Sequence, residues 1–164
     1  MTSKLPSHYL YPAAMFYSVE PYLVNTILGS CIAVCFYDSK LKIGGINHYM
    51  LPFWNGEGLA SPKYGNIAIE KLYEQMLKMG SRKHDIIAKV FGGGEVIDTT
   101  TNLFNIGKRN IEVAESMLKD YGIKVVAADT GGKFGRKLQF NTQTGVVLMK
   151  TIQRTAANNN VSSQ

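Results

Sequence analysis

Short apolar runs separated by turn residues fill the first third of the chain. Met15 to Val19 and Leu23 to Leu28 are rich in β-forming residues and flank Glu20-Pro21, a pattern of two strands around a break. Ile32 to Tyr37 and Lys42 to Leu51 are apolar on either side of Asp38-Ser39-Lys40-Leu41, which reads as a hairpin. The period then changes. From Tyr64 to Met79, residues Ala68, Leu72, Tyr73, Met76 and Met79 share one helical face, with Lys78 late and Gly80 as the stop. Asp85 to Phe91 is a strand running into Gly92-Gly93-Gly94. Asn105 to Tyr121 is a second helix, with Ile106, Val113, Met117 and Tyr121 in register and Gly122 at its end. Ile123 to Ala128 is a strand closed by Asp129-Thr130-Gly131-Gly132, and Lys137 to Asn141 and Val146 to Ile152 are strands around Thr142-Gln143-Thr144-Gly145. This order implies an α/β fold: a layered sandwich of mixed, largely antiparallel sheet with two main helices, one domain over residues 1–155. The first fifteen or so residues show no clear period, and the Asn- and Ser-rich stretch 156–164 predicts a disordered tail.

The hairpin carries the candidate chemistry. If Ser39-Lys40 is its two-residue loop, Asp38 faces Leu41 and Cys31 lies directly opposite His48, on the same face of the sheet. A thiol beside an imidazole is a nucleophile with its base. A slip of one residue would separate them to opposite faces, so the pairing rests on the turn. Cys35, four residues further along the strand, is too far from Cys31 for a disulfide and reads as a small apolar core residue. The loop from Phe53 to Lys63 lies near this site, and its Trp54 is either a substrate contact or an aromatic cover on the core edge.

Composition narrows the partners. The 164 residues are 45% hydrophobic and 18% charged, with no apolar run long enough for a membrane span and no signal-peptide pattern, so a cytoplasmic location is expected. The formal charge is +6, but the lysines and arginines are scattered without a basic arm. That distribution favours an acidic protein surface over nucleic acid or direct membrane insertion. His8, His48 and His84 lack the spacing of a metal site, and the triple glycine matches no nucleotide-binding pattern, so neither metal nor cofactor is expected.

Six motifs then appear in order: Leu28-Gly29-Ser30-Cys31, Tyr37-Asp38, Gly44-Gly45-x-Asn47-His48 with Met50-Leu51-Pro52, Gly92-Gly93, Asn105-Ile106-Gly107-x-Arg109-Asn110, and Asp129-Thr130-Gly131-Gly132. Together they resemble the bacterial chemotaxis protein family CheD, roughly from Met15 to Ile152. The resemblance implies a fold similar to the catalytic domain of cytotoxic necrotizing factor toxins. It also implies hydrolytic deamidation of glutamines on chemoreceptor cytoplasmic helices through a Cys31 thioester, with His48 as acid and base. Gly29 and Ser30 would serve the oxyanion by their backbone N–H groups, with Asn47 assigned beside them to oxyanion or substrate. The third catalytic member is open between Asn25, which stands where the family commonly has threonine, and Thr26. Two further implications are a phosphatase partner of the CheC type, engaged with or without turnover, and an alternative acyl-transfer activity as methylesterase or transglutaminase on the same receptors. Arg109 is the first candidate for partner contact.

Overall fold

The structure, a computed structural model, describes residues 4–95 and 105–153. Among these, nine strands build two sheets. β1 (Ser7–Tyr9), β3 (Leu23–Leu28), β8 (Gly135–Asn141) and β9 (Val147–Ile152) form the first in the order β1-β3-β8-β9. The second, in the order β2-β5-β4-β6-β7, contains β2 (Met15–Ser18), β4 (Ile32–Asp38), β5 (Ile43–Asn47), β6 (Ile86–Gly92) and β7 (Lys124–Thr130). Only β1 with β3 and β6 with β7 run parallel; the other pairs are antiparallel. α1 (Gly65–Lys78) and α2 (Ile106–Tyr121) pack side by side on the five-stranded sheet. The layers are therefore sheet, sheet and helices, the α/β sandwich that the periodicity predicts. The Asn- and Ser-rich stretch 156–164 lies outside the described residues.

Two apolar interiors follow from this stacking. Ile32, Val34 and Phe36 of β4 meet Leu72 and Met76 of α1 and Val113 and Leu118 of α2. The alternate residues Ala33 and Cys35 meet Val24, Leu28, Leu138 and Phe140 of the other sheet. Because β4 and β5 are buried on both faces, they read as continuous apolar runs rather than as alternation. Gly44 and Gly45 fit the same constraint. A Cβ on Gly44 would stand 2.9 Å from the Phe140 ring, and one on Gly45 2.8 Å from a methyl of Leu72, so each layer closes onto bare backbone.

One short strand escaped the sequence pattern. β1 has three residues and takes its order from β3, pairing Ser7 with Leu23 and Tyr9 with Asn25. The hairpin turn also differs from expectation. Asp38 pairs with Ile43, so residues 39–42 form the loop, and the ladder continues to Ile32 opposite Tyr49. The Asp38 carboxylate explains the longer turn: Oδ1 accepts the N–H groups of Lys40 and Leu41, Oδ2 accepts the Ser81 hydroxyl, and Lys42 takes a left-handed φ of 55°. Relative to the expected pairing the register moves by two residues. An even shift preserves the faces, so Cys31 and His48 remain on one side, as diagonal rather than direct neighbours.

Candidate active site

His48 follows the last residue of β5, where that strand passes from one neighbour to another. Its N–H donates to the Ala14 carbonyl and its carbonyl accepts the Ala13 N–H, while Tyr49 exchanges both backbone bonds with Ile32. These four bonds fix the backbone on either side of the imidazole. The ring itself lies in the layer between the sheets, with 1% of the residue exposed.

Across that layer stands Thr26 of β3, fully buried, with its Oγ1 2.7 Å from His48 Nδ1. The same hydroxyl donates to the Leu10 carbonyl at 2.7 Å. A hydroxyl has one hydrogen and a carbonyl can only accept, so that hydrogen is committed to Leu10. Oγ1 must then accept from Nδ1–H, which leaves Nε2 as the free basic nitrogen of the neutral ring. Asn25 cannot share this role. Strand alternation turns it to the outer face of the four-stranded sheet, where its Oδ1 accepts from Gln139 Nε2 at 3.3 Å and its neighbours in a groove are Lys137, Leu148 and Lys150.

Cys31 sits at the entrance of the same layer and is half-buried. Each carbonyl of its turn is held from one side: Gly29 by the Gly94 N–H, Ser30 by Asn110 Nδ2 and Cys31 by the Gly93 N–H. In a trans peptide the N–H points opposite the preceding carbonyl, so anchoring the Gly29 and Ser30 carbonyls aims the Ser30 and Cys31 N–H groups the other way. The glycine run is thus a latch on the Cys31 turn. At Gly92, with φ at 111°, a Cβ would lie 2.1 Å from the Cys31 carbonyl oxygen. Behind the latch the Arg136 guanidinium, 1% exposed, binds Asp129 by Nε and Nη2, the Gly131 carbonyl by Nη2 and the Gly92 carbonyl by Nη1. This ties Gly92-Gly93 to Asp129-Thr130-Gly131-Gly132, two motifs that sequence spacing left unconnected.

Burial sets the charges. Desolvation pushes the Cys31 thiol up and draws the His48 pKa down to about 4. Both changes keep the proton on sulfur, so at neutral pH the resting pair is a thiol and a neutral imidazole. Cys35 is sealed deeper in the layer, and burial pushes its thiol up further.

Asn47 is placed elsewhere than expected. Its side chain is on the helix-facing side of β5, fully buried, and its Oδ1 accepts the Val34 N–H at 2.9 Å, bridging a gap in the β4–β5 ladder. It braces the strand that carries His48 rather than facing an oxyanion. Trp54 donates its indole N–H to the Glu57 carbonyl within its own loop, leaving Phe53 and Leu59 as the exposed apolar side chains there. Arg109 is exposed on α2. The residue that sequence reasoning passed over is its neighbour Asn110, buried and bonded to both the Ser30 and Met50 carbonyls. The signal was available: a polar residue three before Val113 and four before Ala114, on the stripe that faces the core. Among the described residues, no three His, Cys, Asp or Glu side chains gather as a metal site would require. No helix among them is long and apolar enough to cross a membrane.

A thiol at the mouth of an inter-sheet layer, with an imidazole on the same face and a hydroxyl fixing that imidazole's tautomer, is an arrangement suited to thiol acyl transfer. The chain belongs to the CheD family: the family model described as CheD chemotactic sensory transduction matches residues 50–151. A Trichlorobacter lovleyi protein named probable chemoreceptor glutamine deamidase CheD is 50% identical over 147 residues, covering 90% of this chain and 91% of its own. Relatives of the same name from Sulfurimonas denitrificans (46% identical, covering 90% and 95%) and Rhodospirillum rubrum (37%, covering 93% and 86%) extend the likeness. The family resemblance read from the six motifs is thereby borne out.

Proposed function

We propose that this protein hydrolyses glutamine side chains of chemoreceptors to glutamate, with Cys31 as nucleophile, His48 as acid and base and Thr26 as the group that orients His48. The observation that carries the reading is the Leu10–Thr26–His48 chain of hydrogen bonds, which directs Nε2 as the free base of the face that Cys31 shares. As the sulfur attacks the amide carbon, its proton passes to Nε2 and the carbonyl electrons move onto oxygen. The Ser30 and Cys31 N–H groups supply the oxyanion donors. His48 then gives its proton to the departing nitrogen, which leaves as ammonia, and a γ-glutamyl thioester remains. Water replaces the ammonia. His48 takes a proton from it, hydroxide adds to the thioester carbon, and the sulfur leaves to recover its proton. The reaction consumes one water and yields glutamate and ammonia.

A neutral resting pair suits this sequence. The thiolate forms only as the amide carbon approaches, so the sulfur is protected from oxidation between turnovers. The net charge of +6 steers the protein toward acidic receptor helices in the cytoplasm, an attraction that weakens with salt. A CheC-type phosphatase engages the same mouth as a substrate mimic.

Incubation with a receptor cytoplasmic fragment, read by mass spectrometry, tests the proposal. Glutamine-to-glutamate conversion with release of ammonia is expected. Loss of methyl ester or incorporation of amine without deamidation would redirect the assignment to a methylesterase or a transglutaminase.

A further inference from the structure

We propose that Asn110 is the positioning residue of this site: its side-chain amide nitrogen holds the turn before Cys31 and the segment after His48 in one fixed relation. The inference rests on the reading of Cys31 and His48 as nucleophile and base. Asn110 Nδ2 lies 3.0 Å from the Ser30 carbonyl oxygen and 3.0 Å from the Met50 carbonyl oxygen. Each contact needs one hydrogen, and a primary amide nitrogen carries two. The amide orientation is thereby decided, because the flipped form would press Oδ1 against two carbonyl oxygens.

The neighbourhood supports a role beyond packing. Asn110 Oδ1 is buried and has no hydrogen-bond partner among the described residues. An orphaned buried carbonyl destabilises a fold, and an apolar side chain on this core-facing stripe would avoid that cost. The amide nitrogen joins two segments, the turn before Cys31 and the stretch after His48. Tyr49, the residue after His48, donates its hydroxyl to the Asn110 backbone carbonyl at 2.6 Å. With the backbone pair between Ile32 and Tyr49, this closes a ring of hydrogen bonds through residues 30–32, 49–50 and 110. α2 thus sets the nucleophile against the base from the far side of the sheet.

Asn110→Ala, with Leu118→Ala as a variant that loosens α2 elsewhere, tests the assignment. Leu118 is buried on the same helix, eight residues beyond Asn110, and makes no side-chain hydrogen bond to either segment. Two readouts are taken at a temperature where both variants are folded: steady-state turnover of a receptor fragment, and alkylation of Cys31 and Cys35 by iodoacetamide. Releasing the turn exposes the Cys31 thiol while spoiling its alignment, so Asn110→Ala is expected to alkylate Cys31 at least about tenfold faster. Its kcat should fall about 100-fold with KM within about twofold, the scale of a misplacement near 1 Å. Cys35 should remain unlabelled in both variants, and Leu118→Ala should match wild type in kcat and in Cys31 labelling. If Asn110→Ala fails to fold, Asn110→Ser, which retains one donor, is expected to lie between wild type and these limits in both readouts. Equal Cys31 alkylation in wild type and the folded Asn110 variant, or the same changes in Leu118→Ala, would overturn the assignment. The alkylation arm decides this even if wild type converts no glutamine, which would count against the deamidase reading alone.

Discussion

Cys31 stands at the edge of the inter-sheet layer and Cys35 inside it. They lie four residues apart and face the same side, packed among the same inter-sheet residues, yet their surroundings differ. Cys35 is enclosed by the sandwich and paired in register with Ile46 and Lys89, and the Lys89 cation only partly offsets the effect of burial on its thiol. Cys31 precedes the strand, where the sheets part and the backbone is held from behind by Gly93, Gly94 and Asn110. Cys31 differs from Cys35 by standing at the end of a rigid layer rather than within it. The scaffold around the layer supplies the orientation, and the opening supplies access.

Substitution of the two cysteines is the largest test of this contrast. Cys31→Ala is expected to lower deamidation by at least about a thousandfold, as removal of a nucleophile does. Cys35→Ala should leave the rate within about twofold and lower the melting temperature by a few degrees, the effect of roughly 1 kcal/mol lost from the core. A comparable rate loss in both variants would break the distinction.

The latch gives the next effect. Gly92→Ala places a Cβ against the Cys31 carbonyl oxygen at a positive φ, so the turn must shift. Turnover should fall about 100-fold while Cys35 stays protected from alkylation in the native state. Labelling of both cysteines would show instead that the whole sandwich had opened.

Thr26 and Asn25 repeat the contrast across a single strand. Thr26→Val removes the partner of Nδ1–H and of the Leu10 carbonyl together, with an expected loss in kcat of about 10–100-fold, equivalent to about 1.4–2.7 kcal/mol. Asn25→Ala, on the outer face, should stay within about twofold. Steady-state kinetics of the pair assigns the orienting role, and the opposite ranking would return it to Asn25.

The smallest effect is on stability against pH. Burial holds the folded His48 near pKa 4, below its ordinary value of 6.5. Between these values the unfolded chain binds a proton that the folded chain does not. The His48 contribution is therefore fully present above about pH 6.5 and is lost as pH falls toward 4, by about 3 kcal/mol in total. Urea midpoints at pH 7 and pH 4.5 should differ less in His48→Gln than in wild type.

Much of this architecture was legible in the sequence because each layer writes its own period. The helical stripe of α1 and the double-sided apolar runs of β4 and β5 are direct records of burial. β1 was not legible, since three residues take their conformation from a neighbour 16 positions away. The hairpin register departs from the residue pattern because the Asp38 carboxylate organises a longer turn than the residue types suggest. The Cys31–His48 face survived only because the shift was even. Asn47 shows the limit of proximity along the chain: it precedes His48 directly, and strand alternation sends it to the opposite side. Thr26 rather than Asn25 meets His48 by the same rule, which needs the inward face of β3 to be known. The meeting of the glycine run with the Cys31 turn, and of Asn110 with both segments, depends on how the layers stack, and no local pattern encodes that.

The proposed deamidation passes through covalent acylation of Cys31 by the substrate glutamine. Acid quenching of the protein during turnover of a receptor fragment, followed by mass spectrometry of the Cys31 peptide, tests it most directly. A γ-glutamyl adduct on Cys31 is expected, enriched in the early reaction and absent from Cys35 and from Cys31→Ala. Conversion of glutamine to glutamate at an undiminished rate by Cys31→Ala, with no adduct on the wild-type peptide, would contradict it.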